Sequence, residues 1–361
     1  MRGLQSKIKI LQTVIGISTV IGITVTTVLF IIIEQSPHSS RAKLQSIFVT
    51  KPQESCNEDM DRYRCPRTPN NDESNRKDQN DTEVILTEST FNNSEVLGSG
   101  EKCAKRLPQA IIVGIQKSGT TALIQFLSDH PQIAACLYPV EPKYFSLRKY
   151  KPLEWYRNFM PCSFSNQITI EKSPPYFYSR DCAERIRKMN SKTKIIIVVK
   201  DPITRAVSMY AMLKEQKRVM GMSFEDAVSF KTQSLIAENT PYIDFSNYPK
   251  YMQAWLDNFK LSQILVVDGH NLEKDPVQEL NRVENFLGID TYFTRDKFTF
   301  NETKGKYCLI ADENEVQCLN EKKGRDHPEI NNHMRDILEK YFRPKNEKFF
   351  EMINREFDWG Y

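Results

Sequence analysis

The run Lys194-Ile-Ile-Ile-Val-Val199, followed at once by Lys200-Asp201-Pro202, restricts the architecture more than any other stretch of this 361-residue chain. Successive strand residues point to opposite faces, so five consecutive β-branched side chains leave a strand here with no face for solvent. Such a strand belongs in a parallel sheet buried on both sides. Shorter apolar runs at 110–113, 168–170 and 263–267 supply further strands. Between them lie helical patterns at 120–128, 182–189, 202–215, 248–259 and 276–287. This alternation predicts an α/β domain, a three-layer parallel sheet with flanking helices and its ligand sites at the carboxyl ends of the strands.

Two strand ends carry phosphate chemistry. In Val113-Gly-Ile-Gln-Lys-Ser-Gly-Thr-Thr-Ala-Leu123, Gly114 and Gly119 have the spacing of the nucleotide loop GxxxxGK[ST], but Lys117 precedes the second glycine and Thr120 follows it. No lysine therefore stands where one would reach a β/γ-phosphate, the usual magnesium arrangement is incomplete, and no metal is expected. The amides of Ser118 to Thr121 and the helix start still suit one phosphate, with Lys117 beside a transferable end group. The second stretch, Lys200 to Tyr210, has Asp201 as a cap and Pro202 at the first helical position, with Lys200 and Ser208 able to pinch another phosphate. Alone, the first also suits a plain strand-to-helix turn and the second a capped helix with a solvated Arg205. Two such stretches on adjacent strand ends favour a ligand.

With LPQAIIVGIQKSGTTALIQFLSDHP, EKSPPYF at Glu171–Phe177, QILVVDG at Gln263–Gly269, FNETKGKYC at Phe300–Cys308, CLNEKKGRDHPEI at Cys318–Ile330 and FDW at Phe357–Trp359, the chain resembles the Golgi heparan sulfate glucosamine 3-O-sulfotransferases. The resemblance runs from Leu107 to Tyr361 and implies a P-loop-like domain that uses 3′-phosphoadenosine 5′-phosphosulfate (PAPS). It implies that Lys117 steadies the leaving group while Ser118, Gly119, Thr120 and Thr121 hold the 5′ phosphate. Lys200 and Ser208 would hold the 3′ phosphate, and Tyr307, Lys323, Gly324, Arg325, Asp326 and His327 would complete the nucleotide site. Glu141 would be the general base, Lys172 a second cation near the sulfuryl group, and Lys143, Ser146, Ser173, Pro174, Pro175, Trp255 and Leu256 would meet a heparan sulfate acceptor. A Cys308–Cys318 disulfide would brace the loop that carries Tyr307.

Some positions depart from the family's pattern. Lys143 stands where 3-O-sulfotransferases commonly have His, and Ser146 where an Asp often follows the aromatic pair. Thr121 replaces a frequent Arg and is similar to the N-sulfotransferase branch, while Lys200 replaces an Arg, keeping the charge without the planar fork. The basic groups Arg148, Lys149, Lys151, Lys214, Lys217 and Arg218 suit a polyanion, or equally a solvated face.

The uncharged stretch from Ile10 to Ile33, preceded by Arg2, Lys7 and Lys9, is long enough to span a bilayer. With the positive flank N-terminal, the expectation is a single-pass type II Golgi membrane protein: residues 1–9 cytosolic, 10–33 the signal-anchor, 34–106 a polar flexible lumenal stem, and 107–361 the catalytic domain. Sequons at Asn80, Asn92 and Asn301 suit that placement. Eight cysteines without a CxxC pair speak for disulfides rather than zinc, and Cys308 with Cys318 is the best candidate pair. A net charge of +4 is too weak to indicate nucleic acid. An NTP-dependent kinase fits poorly with the displaced lysine. A catalytically silent glycan-binding membrane protein stays open at this level. In sealed microsomes, the catalytic domain should be protected from protease and the N-terminus cleaved; the reverse pattern would overturn the topology.

Overall fold

The computed structural model describes residues 101–361 apart from 139, 220, 230–235, 304, 311–315 and 319–326. The expected span at 10–33, nearly all of the stem, the sequons at Asn80 and Asn92, and Lys323, Gly324, Arg325 and Asp326 lie outside the described residues. Among the described residues, no helix is long and apolar enough to cross a membrane.

In chain order the strands are β1 (Ala104–Lys105), β2 (Ala110–Gly114), β3 (Ile133–Ala135), β4 (Cys162–Ser163), β5 (Ile168–Lys172), β6 (Lys194–Val199), β7 (Ile264–Asp268), β8 (Phe298–Asn301), β9 (Lys306–Ile310) and β10 (Val316–Gln317). The longer helices are α1 (Thr120–Leu127), α2 (Arg180–Met189), α3 (Pro202–Glu215), α4 (Tyr248–Leu256), α5 (Pro276–Leu287) and α6 (Asn332–Ile353). Five strands form one parallel sheet in the order β3-β5-β2-β6-β7. The order reverses at β2, which opens a crevice at its carboxyl end, where ligands of open α/β sheets bind.

Both sheet faces are buried, as the β6 run requires. Ile111, Val113, Ile195, Ile197 and Val199 pack with Cys182, Ile186, Tyr248, Met252, Trp255 and Phe349 from α2, α4 and α6. Ala110, Ile112, Ile170, Ile196 and Val198 pack on the other side with Leu123, Leu127, Leu280 and Val283 from α1 and α5. Each fully buried Ile or Val contributes roughly 1.5–3 kcal/mol relative to exposure. A third cluster joins α3 to the first half of α6 through Ile203, Met209, Tyr210, Met334, Leu338 and Phe342.

The fold reaches further back than the polar composition indicates. Cys103 is disulfide-bonded to Cys162, and β1 pairs antiparallel with β4, so residues 103–106, assigned by composition to the stem, are held on the domain. The expected Cys308–Cys318 disulfide is present and ties β9 to the end of β10.

Gly269, just after β7, is a point of close approach. Its N–H donates to Val199 O at 2.8 Å, and a Cβ there would overlap Ser118 O and lie 2.9 Å from Val199 O. Gly269→Ala should lower the thermal midpoint by several degrees, a cost on the order of 1–3 kcal/mol for forcing the neighbouring loop away. A melting curve superimposable on wild type would contradict that packing.

Candidate functional site

At the carboxyl end of β2 the chain turns through two left-handed residues, Lys117 (φ 73°) and Gly119 (φ 106°), into α1. Glycine takes the second without strain. Gly119 is the helix cap and provides no side-chain acceptor, so the first amides of α1 keep their donors for another group. The Ser118 hydroxyl is fully buried and makes no hydrogen bond of normal geometry. Uncapped amides, a buried hydroxyl and Lys117 on one short loop fit a phosphate.

The end of β5 supplies the second half. The Lys172 ammonium, 1% exposed, lies 3.0 Å from Glu141 Oε1 and 3.4 Å from Thr121 Oγ1. Lys143 Nζ takes the other Glu141 oxygen at 3.3 Å, and the carboxylate keeps 24% exposure. An ammonium so buried requires a partner, and Glu141 is the one that the fold provides. The loop bearing Glu141 is held independently: Lys143 (φ 50°) donates its N–H to Ser173 Oγ at 3.0 Å, and Arg148 donates to Pro142 O at 2.6 Å. Glu141, Lys143, Lys172, Ser173 and Thr121 are thereby brought together beside the Lys117 loop.

At the end of β6, Asp201 caps α3 as expected, accepting from Thr204 N at 2.8 Å, with Pro202 at the first turn. Tyr361 OH adds a bond to Asp201 at 2.7 Å. Lys200 Nζ pairs with Glu273 Oε1 at 2.5 Å, and Ser208 is half-buried on α3. Arg205 is not solvated: it is fully buried and donates to Ser246 Oγ, Pro241 O and Tyr242 O, which makes it a structural brace.

The other expected acceptor residues are divided between the core and the surroundings of Lys143 and Ser173. Trp255 is fully buried, with its indole N–H on Phe177 O at 3.1 Å, and Leu256, partly buried, packs against the same core. The indole is too large and apolar to leave the interface of α2, α4 and the sheet. Pro174 is buried and Pro175 half-buried in a 3₁₀ turn after Ser173. Ser146 Oγ turns back to Lys143 O at 3.3 Å. Lys149 pairs with Asp181 at 3.7 Å, while Lys151 lies over the exposed Tyr150 ring. Tyr307 stands on β9 against Phe300, His327 is exposed, and Asn301 ends β8.

Residues 107–356 match the sulfotransferase domain family. Over 260 residues the chain is 42% identical to heparan sulfate glucosamine 3-O-sulfotransferase 3B1 of Mus musculus, covering 71% of this chain and 66% of that one. Over 261 residues it is 39% identical to heparan sulfate glucosamine 3-O-sulfotransferase 5 of Homo sapiens, covering 71% and 75%. The chain belongs to the heparan sulfate glucosamine 3-O-sulfotransferase family. It spans just under two thirds of the length of the 3A1 and 3B1 relatives. A solved sulfotransferase from Alicyclobacillus acidocaldarius shares the fold, with a TM-score of 0.53 at 22% identity over 70% of this chain and 98% of that one.

In this sulfotransferase domain the sequence reading gives no role to Glu171, although the residue sits in the EKSPPYF motif. It is fully buried and accepts hydrogen bonds from Tyr156 OH at 2.9 Å and Ser173 Oγ at 3.0 Å. A carboxylate directly after the strand run 168–170 was the available signal. Burial lifts its carboxyl to about 7, against the pull of hydroxyls from Tyr156, Ser173 and Tyr176 and of the Lys172 charge. Between the free carboxyl range near 4.5 and about 7, the native state therefore binds more protons than the unfolded chain. This contribution to stability is complete at low pH and lost as pH rises through 7, by about 3 kcal/mol. Glu171→Gln removes the titration, so the stability difference between wild type and variant should change by about that amount from pH 5 to pH 8. Parallel curves in denaturant titrations would refute the assignment.

Proposed function

We propose that this protein transfers the sulfuryl group of PAPS to the 3-hydroxyl of a glucosamine in heparan sulfate, with Glu141 as general base. The observation that carries the reading is the Lys172–Glu141–Lys143 cluster beside the Lys117 loop. Supporting it are the relatives' printed names, 3-O-sulfotransferases of heparan sulfate glucosamine.

When bound, PAPS supplies a sulfuryl group activated as a mixed anhydride with one phosphate. The α1 amides and Ser118 to Thr121 receive that 5′ phosphate, and the Lys117 ammonium offsets negative charge on the departing oxygen. Lys200 and Ser208 hold the 3′ phosphate. Glu141 accepts the proton of the acceptor hydroxyl as that oxygen attacks sulfur in line with the leaving oxygen. With each of its oxygens fixed by a different ammonium, the carboxylate works by position more than by strong basicity. Lys143, in the place of the family's frequent His, offers a cation to the acceptor's sulfates or carboxylates. For the setting, we infer a Golgi membrane with the catalytic domain lumenal. The apolar stretch 10–33 and two disulfides, which suit an oxidising compartment, support that inference.

Labelled PAPS with N-sulfated heparan sulfate, followed by disaccharide analysis, tests the reading. Activity should survive EDTA, since no lysine follows Gly119 and the donor carries a single 5′ phosphate rather than a polyphosphate that chelates magnesium. Sulfate appearing on nitrogen, or magnesium-restored activity after chelation, would overturn it. Glu141→Gln should reduce transfer by ~10² or more while the affinity for adenosine 3′,5′-bisphosphate stays within about twofold of wild type. Transfer at near the wild-type rate would remove Glu141 from the mechanism.

A further inference from the structure

Glu273 has no place in the chemistry above, yet its carboxylate is seated on the cation assigned to the donor's 3′ phosphate. Lys200 Nζ and Glu273 Oε1 are 2.5 Å apart; the lysine side chain is 12% exposed and the glutamate 48%. The two are presented by adjacent strand ends. Lys200 follows β6, and Glu273 lies on the short helix Asn271–Lys274 after β7. The turn between β7 and that helix is fixed. Asp268 Oδ1 accepts from His270 N at 2.8 Å and Asn271 N at 3.2 Å, and Gly269 packs against Ser118 O and Lys200 Cγ. The glutamate backbone is therefore anchored, while its side chain is half exposed to water.

We propose that Glu273 is a positioning residue of the donor site: it neutralises Lys200 in the absence of nucleotide and competes with the 3′ phosphate, so that donor and bisphosphate product are both held less tightly. This rests on the PAPS reading above. A lysine ammonium is a compact point charge that cannot serve carboxylate and phosphate through separate faces of a planar fork, as an arginine does. Seating a phosphate on Lys200 thus requires Glu273 either to leave or to stay as a like charge within a few ångströms. Either path costs affinity, and only for ligands that carry the 3′ phosphate.

The test is calorimetric titration of the full chain, wild type and Glu273→Gln, with adenosine 3′,5′-bisphosphate and with adenosine 5′-monophosphate. Removing one carboxylate at a half-exposed site should tighten the bisphosphate by about fivefold to tenfold, most strongly at low salt, and leave the monophosphate unchanged. Glu273→Ala, lacking the hydrogen-bonding amide, should show the same selectivity. Equal changes for both nucleotides, or none, with wild type binding the bisphosphate normally, would overturn the role of Glu273 alone. A wild-type chain that binds neither nucleotide would instead overturn the PAPS reading on which it rests.

Discussion

Five parallel strands with apolar side chains on both faces have no interior position for an unpaired charge, so the polar groups of the domain gather where strands end. Glu171, inside β5, is admitted with hydroxyl donors on both carboxylate oxygens. Four charged parts of the crevice emerge from carboxyl ends: the Lys117 loop from β2, Lys172 from β5, Lys200 from β6 and the Glu273 turn from β7. Because neighbouring strands lie ~4.8 Å apart, side chains distant in sequence converge on one small region.

Glu141, the proposed base, is held by two mechanically separate supports. Lys172 grips the Glu141 carboxylate by charge, while Ser173 grips the adjoining backbone at Lys143 and is itself held by Glu171. Both supports start from the last residues of β5 and reach the same loop. Loss of one leaves the other, which separates the orientation of the carboxylate from the position of its backbone.

Much of this was legible in the sequence because it is written locally. The β6 run declares a doubly buried strand, Asp201-Pro202 declares a capped helix, and the Gly114–Gly119 spacing declares an anion loop. Features set by distant partners were not legible. The helix α6 went unrecognised because its apolar face serves two clusters, Met334, Leu338 and Phe342 in one and Phe349 and Ile353 in another, with Pro344 between them. The three-residue strand β3 is too short to show a period, and the Cys103–Cys162 disulfide joins residues 59 apart. For Trp255, resemblance points to the acceptor and its helix position equally to the core, and packing decides for burial. Glu273 was invisible for the same reason, since its partner lies on a different strand end.

The alternation along β5 has an evolutionary consequence. Ile170 lies in the cluster with α1, and Lys172 emerges on that same side to meet Thr121, while Glu171 between them enters the opposite cluster and meets Tyr156. A one-residue insertion or deletion upstream in this strand would exchange the faces, sending a lysine into the apolar layer and presenting a carboxylate to Glu141. The crevice would change sign without any substitution in it. Drift in length is therefore closed to β5, and viable length variation should collect in the connections that flank the strand.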